Sequence, residues 1–141
     1  MSTEAPAGAD RRAHPESFRA RSLLALLTVN DARKSMEWYR DVLGFHVKEQ
    51  YEHEGKLLGV SLLAGTVQLM LNQDDGAKGW DRSKGEGISL AFATAQDVDA
   101  LAARIKERGG TLMSEPADMP WGGRLFRFRD PDGFMLAISS E

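Results

Sequence analysis

One pattern of secondary structure occurs twice in this chain, at an offset of 65 residues. The offset carries Leu24 onto Ser89 and Gly44 onto Gly109. In each half a strand-like run leads into a helical pattern that ends at glycine, and three further strand-like runs follow. The repeat therefore predicts two tandem βαβββ modules.

The first half begins with SLLALLTV, a β-branched and aliphatic run of strand length. Asn30 or Asp31 can cap the helix that follows, and Gly44 supplies the left-handed residue that ends it. The apolar residues of this helix keep a period of about 3.6 residues; they are Ala32, Met36, Tyr39 and Leu43. The runs FHVKEQY, LLGVSLL and VQLML then predict a three-stranded meander.

The second half repeats this order from Gly87, where GISLAFAT predicts a strand. Gln96 or Asp97 opens the helix, and Gly109 with Gly110 ends it. The apolar stripe of the helix comprises Val98, Leu101, Ala102 and Ile105. The strands TLMS, RLFRFR and FMLAIS complete the module, with the turn DPDG between the last two.

At 141 residues the chain fits one α+β domain with a single core. Module one is predicted at residues 22–71, a polar linker at 72–86 and module two at 87–139. Residues 1–21 are rich in Ala, Arg, Pro and Ser and predict a disordered tail. Each module should place its helix on one face of a four-stranded sheet, which leaves the other faces open to enclose a cleft.

Composition excludes several classes of partner. The formal charge is only -3 with scattered Lys and Arg, so nucleic acid is not expected. No apolar run approaches the roughly 20 residues that a bilayer requires, so a membrane partner is not expected either. The chain has no cysteine, which rules out disulfides and thiolate chemistry. Without an apolar signal segment, the predicted location is cytoplasmic.

The alternation of side chains along the last strand indicates which residues face the cleft. In FMLAIS, Phe134, Leu136 and Ile138 share one face, whereas Met135 and Ala137 share the other. The larger apolar set should pack on the helix. Ala137 is therefore expected on the open side of the sheet.

The stretches LTVNDARKSMEWYRDVLGF and DPDGFMLAIS, at this spacing, resemble the vicinal oxygen chelate superfamily. This superfamily contains glyoxalase I, extradiol dioxygenases, fosfomycin-resistance enzymes and bleomycin-resistance proteins. The resemblance covers residues 22–139 and implies a glyoxalase-like fold, with a cleft between curved mixed sheets. It also implies a homodimer, because modules of this superfamily often pair across chains.

Metal enzymes of this superfamily hold a divalent ion with two side chains from each module, on its first and last strands. The resemblance places these positions at Leu24, at Gln68 or Met70, at Ser89 and at Ala137. Divalent transition metals require imidazole or carboxylate donors, which Leu and Ala do not offer. No metal and no cofactor are therefore predicted.

The remaining candidates suit binding better than catalysis, and no catalytic residue is assigned. Leu24, Leu26, Ser89 and Ala137 give the cleft an apolar lining with small side chains in module two. Trp80 and Trp121 lie in loops, where each can stack on a flat ligand or serve as a structural anchor. Arg127 alternates away from its Phe neighbours and can face an anionic group or water.

The leading hypothesis is a metal-free protein that binds or sequesters an apolar or aromatic small molecule, in the manner of the antibiotic-resistance members. The expected ligand-binding residues are Leu24, Leu26, Gln68, Met70, Trp80, Ser89, Trp121, Arg127 and Ala137. The alternative is a lyase or dioxygenase-like enzyme with a shifted or metal-independent site. A protein that acts mainly through subunit or partner contacts is the third possibility.

Overall fold

A computed structural model describes residues 16–141. Residues 1–15 of the predicted disordered tail lie outside this part of the chain. Residues 16–24 are exposed and form no helix or strand.

Each half of the chain forms a βαβββ module. Module one contains β1 (Ala25–Val29), α1 (Ala32–Trp38), β2 (His46–His53), β3 (Lys56–Ala64) and β4 (Val67–Gln73). A π-helical turn, Tyr39–Leu43, continues α1. Module two contains β5 (Ser89–Thr94), α2 (Val98–Glu107), β6 (Leu112–Asp118), β7 (Arg124–Arg129) and β8 (Met135–Ser140).

The two modules build two mixed sheets with the same topology. The first sheet has the strand order β1-β4-β3-β2 and the second has the order β5-β8-β7-β6. In each sheet the first and last strands of the module pair in parallel, and the other neighbours are antiparallel. The predicted α+β fold with two βαβββ modules is confirmed.

A single hydrophobic core joins the helix-bearing faces of both sheets. It contains buried residues from β1, α1, β3 and β4 together with residues from α2, β7 and β8. Aromatic contacts cross between the modules: the ring centroids of Trp38 and Phe128 lie 6.3 Å apart, and those of Phe45 and Phe92 lie 5.8 Å apart. The opposite face of each sheet, called its open face below, therefore lies outside this core.

The helix ends follow local rules that the sequence displays. Asp31 accepts a hydrogen bond from the Lys34 amide, and Asp97 accepts bonds from the amides of Asp99 and Ala100. Gly44 has φ 83° and ends the π-helical turn, a conformation that glycine adopts without steric cost. The sequence pattern had indicated one continuous helix through Leu43; the wider turn at its end carries no separate sequence signature.

The strands are longer than predicted where the sequence turns polar. β4 continues through Asn72 and Gln73, because these residues pair with Thr28 and Val29 of β1. β6 likewise continues to Asp118, with irregular pairing to β7. Polar side chains are tolerated in both places since one face of each sheet is not part of the core.

No helix within residues 16–141 is long and apolar enough to span a bilayer.

Candidate functional site

The open face of the first sheet carries four of the predicted binding residues. Gln68 and Met70 alternate with the buried Leu69 and Leu71 of β4, so both point to the open side. The sequence leaves open which of the two residues faces this side, and in the structure both do. Leu26 pairs with Met70 across the sheet and is 58% exposed. Leu24 directly precedes β1 and is also exposed.

Ser61 adds a polar group to the middle of this apolar face. It pairs with Met70 in the β3–β4 ladder and is almost fully buried. The Gln68 Nε2 atom lies 3.5 Å from the Ser61 hydroxyl oxygen, within reach of a long hydrogen bond. The face is thus a row of aliphatic and thioether side chains around one amide and one hydroxyl.

The open face of the second sheet brings together Ser89, Arg127 and Ala137. Ala137 pairs with Ala91 on one side and with Arg127 on the other. Ser89 lies one step along the strands, opposite Met135. Leu136, on the other face of β8, is fully buried in the core. The alternation predicted for the last strand therefore matches the structure.

A pocket of about 590 Å³ lies at one end of this second open face. Its floor is formed by residues of β5, β7 and β8, and its wall by the end of the linker and the turn before β8. The lining residues include Gly85, Ser89, Arg127, Arg129 and Met135.

Buried ion pairs hold the linker in place beside this pocket. The carboxylate of Asp74 lies 2.8 Å from the Lys84 ammonium and 3.0 Å from the Arg82 guanidinium. These cations and the Gly76 amide hold the pKa of Asp74 well below its ordinary value of 3.8. Lys84 also donates a 2.6 Å hydrogen bond to the side-chain oxygen of Asn30. Lys84 lines the pocket, but its charge is already engaged.

The DPDG turn connects module two to the start of α1. Asp132 accepts hydrogen bonds from the Asn30 amide at 2.8 Å and from the Ser35 hydroxyl at 3.2 Å. Asp130 accepts a 2.7 Å hydrogen bond from the phenol of Tyr39. Burial raises the pKa of Asp130 above its ordinary value. The two aspartates of the turn thus have structural partners in module one.

The residues that the resemblance places at the superfamily's metal-ligand positions do not fit a metal ion. Leu24 and Ala137 offer no donor atom, Ser89 offers a neutral hydroxyl, and the fourth position offers the amide oxygen of Gln68 or the thioether of Met70. Zinc, nickel, iron and manganese sites require imidazole, thiolate or carboxylate ligands. Within residues 16–141, no group of three or more His, Asp or Glu side chains has the arrangement of a metal site.

The two tryptophans occupy different places from the residues above. Trp80 packs over Gly76 in the linker, and a Cβ atom added at Gly76 would lie 2.4 Å from the Trp80 ring. The backbone carbonyl of Trp80 accepts a hydrogen bond from the side-chain amide of Asn30. Trp121 is 72% exposed in the loop between β6 and β7. That loop joins β7 at Arg124, whereas Arg129 lies at the other end of the strand. A ligand-binding role for either tryptophan remains a prediction.

Several site residues were missed by the sequence reasoning. Arg129 stands two residues after Arg127 in RLFRFR, and the period of a strand could have identified it. Met135 shares its face with Ala137 for the same reason. No local pattern marks Ser61 or Lys84, because their burial depends on which segments pack against them.

The family model for the Glyoxalase/Bleomycin resistance protein/Dioxygenase superfamily matches residues 21–138. A probable lactoylglutathione lyase from Synechocystis sp. is 27% identical over 82% of this chain and 92% of its own length. The lactoylglutathione lyase GLX1 of Arabidopsis thaliana is 26% identical over 88% of this chain. The chain spans only 45% of the length of that plant protein.

Solved structures share the fold. TioX from Micromonospora sp. ML1 superposes with a TM-score of 0.71 at 20% identity, over 86% of this chain and 98% of TioX. A superfamily member from Sphaerobacter thermophilus gives a TM-score of 0.68 at 26% identity, over 87% of this chain and 98% of its own. The match to the family model extends over both βαβββ modules. The chain therefore belongs to the Glyoxalase/Bleomycin resistance protein/Dioxygenase superfamily.

Proposed function

We propose that this protein is a metal-free binding protein of its superfamily, which binds or sequesters an apolar or aromatic small molecule on its open faces. The observation that carries the proposal is the set Leu24, Gln68, Ser89 and Ala137. The resemblance places these residues, with Met70 as the alternative to Gln68, where metal enzymes of the superfamily carry their ligands, and the set contains no imidazole or carboxylate.

The lining of the open faces supports a ligand with a large apolar part. Leu26 and Met70 form an apolar pair on the first sheet, and Ala91 with Ala137, which is 7% exposed, gives the second sheet small apolar side chains. Apolar walls with a few placed polar groups are typical of small-molecule sites. Gln68, Ser61 and Ser89 supply such groups. Trp121, exposed in the loop before β7, would stack on a flat ligand at that end of the second sheet.

The proposal includes a homodimer. In one chain the core joins the helix-bearing faces, so the two open faces have no counterpart of their own. A second copy that brings its second sheet against the first sheet of its partner would enclose a cleft between them. Leu24, Leu26 and Ile88 are large apolar residues that are exposed in the single chain, and such a dimer would cover them.

Two measurements on the purified full-length chain test the proposal. Metal analysis after incubation with zinc and nickel is expected to find no stoichiometric ion. Fluorescence titration with the uncharged aromatic probe N-phenyl-1-naphthylamine is expected to show saturable binding. Met70→Lys should weaken that binding about tenfold by placing a charge on the apolar face. Leu23→Lys, at a 93% exposed residue outside the sheets, is the control. One tightly bound ion per chain would overturn the proposal.

A lyase is the second candidate, favoured by the relatives named as lactoylglutathione lyases. It predicts metal-dependent or metal-independent turnover of the hemithioacetal formed by a 2-oxoaldehyde and a thiol. It further predicts that Gln68→Ala abolishes this turnover, since Gln68 carries the only side-chain amide in the set Leu24, Gln68, Ser89 and Ala137. Absence of turnover by the wild-type chain, with and without added zinc or nickel, would reject it.

A further inference from the structure

The pocket on the open face of the second sheet contains two positive charges with few partners. Arg127 and Arg129 alternate with Phe126 and Phe128 along β7, so both leave the sheet on the open side. Within residues 16–141 the guanidinium of Arg127 has no hydrogen bond or ion pair; only its backbone amide is engaged, by Ser114. Arg129 gives one Nη1 hydrogen bond to the Gly133 carbonyl and keeps its other donors.

The third arginine of the same strand is used differently. Arg124 lies on the opposite face, where its guanidinium binds the carboxylates of Asp99 at 3.1 Å and Asp118 at 3.2 Å. These pairs raise the pKa of Arg124 above its ordinary value. β7 therefore matches the arginine on its helix side with acidic partners and leaves the two on its open side available.

The other charges around the pocket do not cancel these two. Asp74 and Asp132 together face two cations, because Lys84 lies 2.8 Å from Asp74 and 4.0 Å from Asp132, and Arg82 lies 3.0 Å from Asp74. Asp132 also accepts hydrogen bonds from the Asn30 amide and the Ser35 hydroxyl. Glu86, exposed on the linker, also lines the pocket, and its carboxylate has no ion pair within residues 16–141. The exposed charges of the lining are therefore the two guanidinium groups of Arg127 and Arg129 and the carboxylate of Glu86, which leaves an excess of positive charge.

The linker wall of the pocket packs closely on the rest of the fold. Gly85 has φ 76°, and an added Cβ atom there would lie 2.6 Å from the ring of Phe134. The linker backbone therefore lies directly on Phe134, which itself packs against the core. The buried pairs of Asp74 hold the other end of this segment. A ligand would meet a preformed wall, which lowers the conformational cost of binding.

We propose that the ligand of this protein carries an anionic group, a carboxylate, sulfonate or phosphate, which Arg127 and Arg129 bind in the pocket beside Ser89. The inference rests on the proposed small-molecule binding function and specifies the chemistry of the ligand. Two guanidinium groups at alternate positions of a strand offer planar donor pairs, which suit oxyanions. The apolar body of the ligand then lies over Ala91 and Ala137.

The first test uses inorganic phosphate and the full-length chain. In NMR titrations at constant ionic strength, the amides of Gly85 and Gly87 are expected to shift saturably with phosphate but not with chloride. The double variant Arg127→Gln/Arg129→Gln should weaken phosphate binding at least about tenfold, because each variant removes charge-assisted donors. Glu86→Gln should strengthen it, since it removes the competing carboxylate. Arg104→Gln removes one exposed charge from α2 and is the control.

The second test separates this inference from the function on which it rests. Binding of 8-anilinonaphthalene-1-sulfonate is compared with that of uncharged N-phenyl-1-naphthylamine. The sulfonate is expected to bind more tightly to the wild type and to lose that advantage in the double variant. Equal affinities, or a phosphate response that the double variant retains, would overturn the anionic group while leaving apolar binding intact. Saturable phosphate binding without binding of either aromatic probe would support the anion site and reject the apolar function.

Discussion

The phenol of Tyr39 donates a 2.7 Å hydrogen bond to the buried carboxylate of Asp130, across 91 residues of sequence. The second oxygen of that carboxylate accepts hydrogen bonds from the backbone amides of Asp132 and Phe134, both at 2.9 Å. One side chain thus shapes the turn before β8 and ties it to the π-helical turn of module one. This hydrogen bond is one of several contacts that join the two modules, together with the shared core.

Tyr39→Phe is expected to lower the free energy of unfolding by about 1–3 kcal/mol, because a buried carboxylate oxygen loses its partner. Urea denaturation followed by circular dichroism measures the difference. Tyr51→Phe is the matched control, since the ring of Tyr51 is 42% exposed on β2. Equal stability of the two variants would show that the Tyr39 hydrogen bond contributes nothing to the fold.

Asp74→Asn is expected to change how stability depends on pH. Because Lys84, the Gly76 amide and Arg82 lower the pKa of Asp74, its contribution is complete above the ordinary value of 3.8 and is lost as the pH falls below it. The wild type should therefore lose stability between about pH 5 and pH 2 more steeply than the variant. Urea denaturation across this range is the measurement.

The control for this pH experiment is Asp81→Asn. Asp81 is an exposed residue of the same linker. Its substitution should leave the steep acid dependence in place. If both variants followed the wild-type curve, the ion pairs of Asp74 would not be the source of the acid sensitivity.

Gly110→Ala is expected to destabilise the junction between the modules by about 1–3 kcal/mol through overpacking. A Cβ atom at Gly110 would lie 2.5 Å from Ile105 Cγ2 and 2.9 Å from Val42 Cγ1. These methyl groups belong to β-branched side chains and cannot turn away freely. Thermal melting detects the change. Gly59→Ala, whose Cβ atom would meet its neighbours at 3.5 Å, should be better tolerated.

Leu26→Glu is expected to prevent dimerisation without unfolding the chain. Leu26 is 58% exposed, so the fold of one chain does not depend on its burial. In the proposed dimer the new carboxylate would be buried without a partner, which is costly. Sedimentation velocity at micromolar concentration should show a dimer for the wild type and a monomer for the variant.

Leu23→Glu supplies the comparison for the dimer, because Leu23 is 93% exposed just before the first sheet. This variant should sediment like the wild type. A wild-type protein that is monomeric at micromolar concentration would refute the proposed dimer, whatever the behaviour of either variant.

Much of the fold follows from local sequence, as the last strand illustrates. Its alternation placed Leu136 toward the helix and Ala137 on the open side, and Leu136 is fully buried in the core. Asp97 caps α2, as one of the two predicted candidates, and Gly44 adopts the left-handed conformation expected of it. Such features depend on backbone geometry and on periods of two and 3.6 residues, which a sequence displays directly.

The site was less accessible to this reasoning. Alternation along β7 places Arg127 and Arg129 on the same face, but the pocket beside them depends on where the linker packs. The burial of Lys84 against Asp74 closes a loop within the linker, and a polar segment gives no indication of such a pair.

The order of elements, the two modules, the faces of their strands and the lack of metal-ligating side chains at Leu24 and Ala137 all follow from local sequence. Tertiary structure alone decided that the helix-bearing faces share one core, that Tyr39 meets Asp130 and that the free arginines stand in a pocket. The reason is physical. Hydrophobic periodicity specifies which face of an element is buried, but contacts between modules depend on packing between residues far apart in sequence.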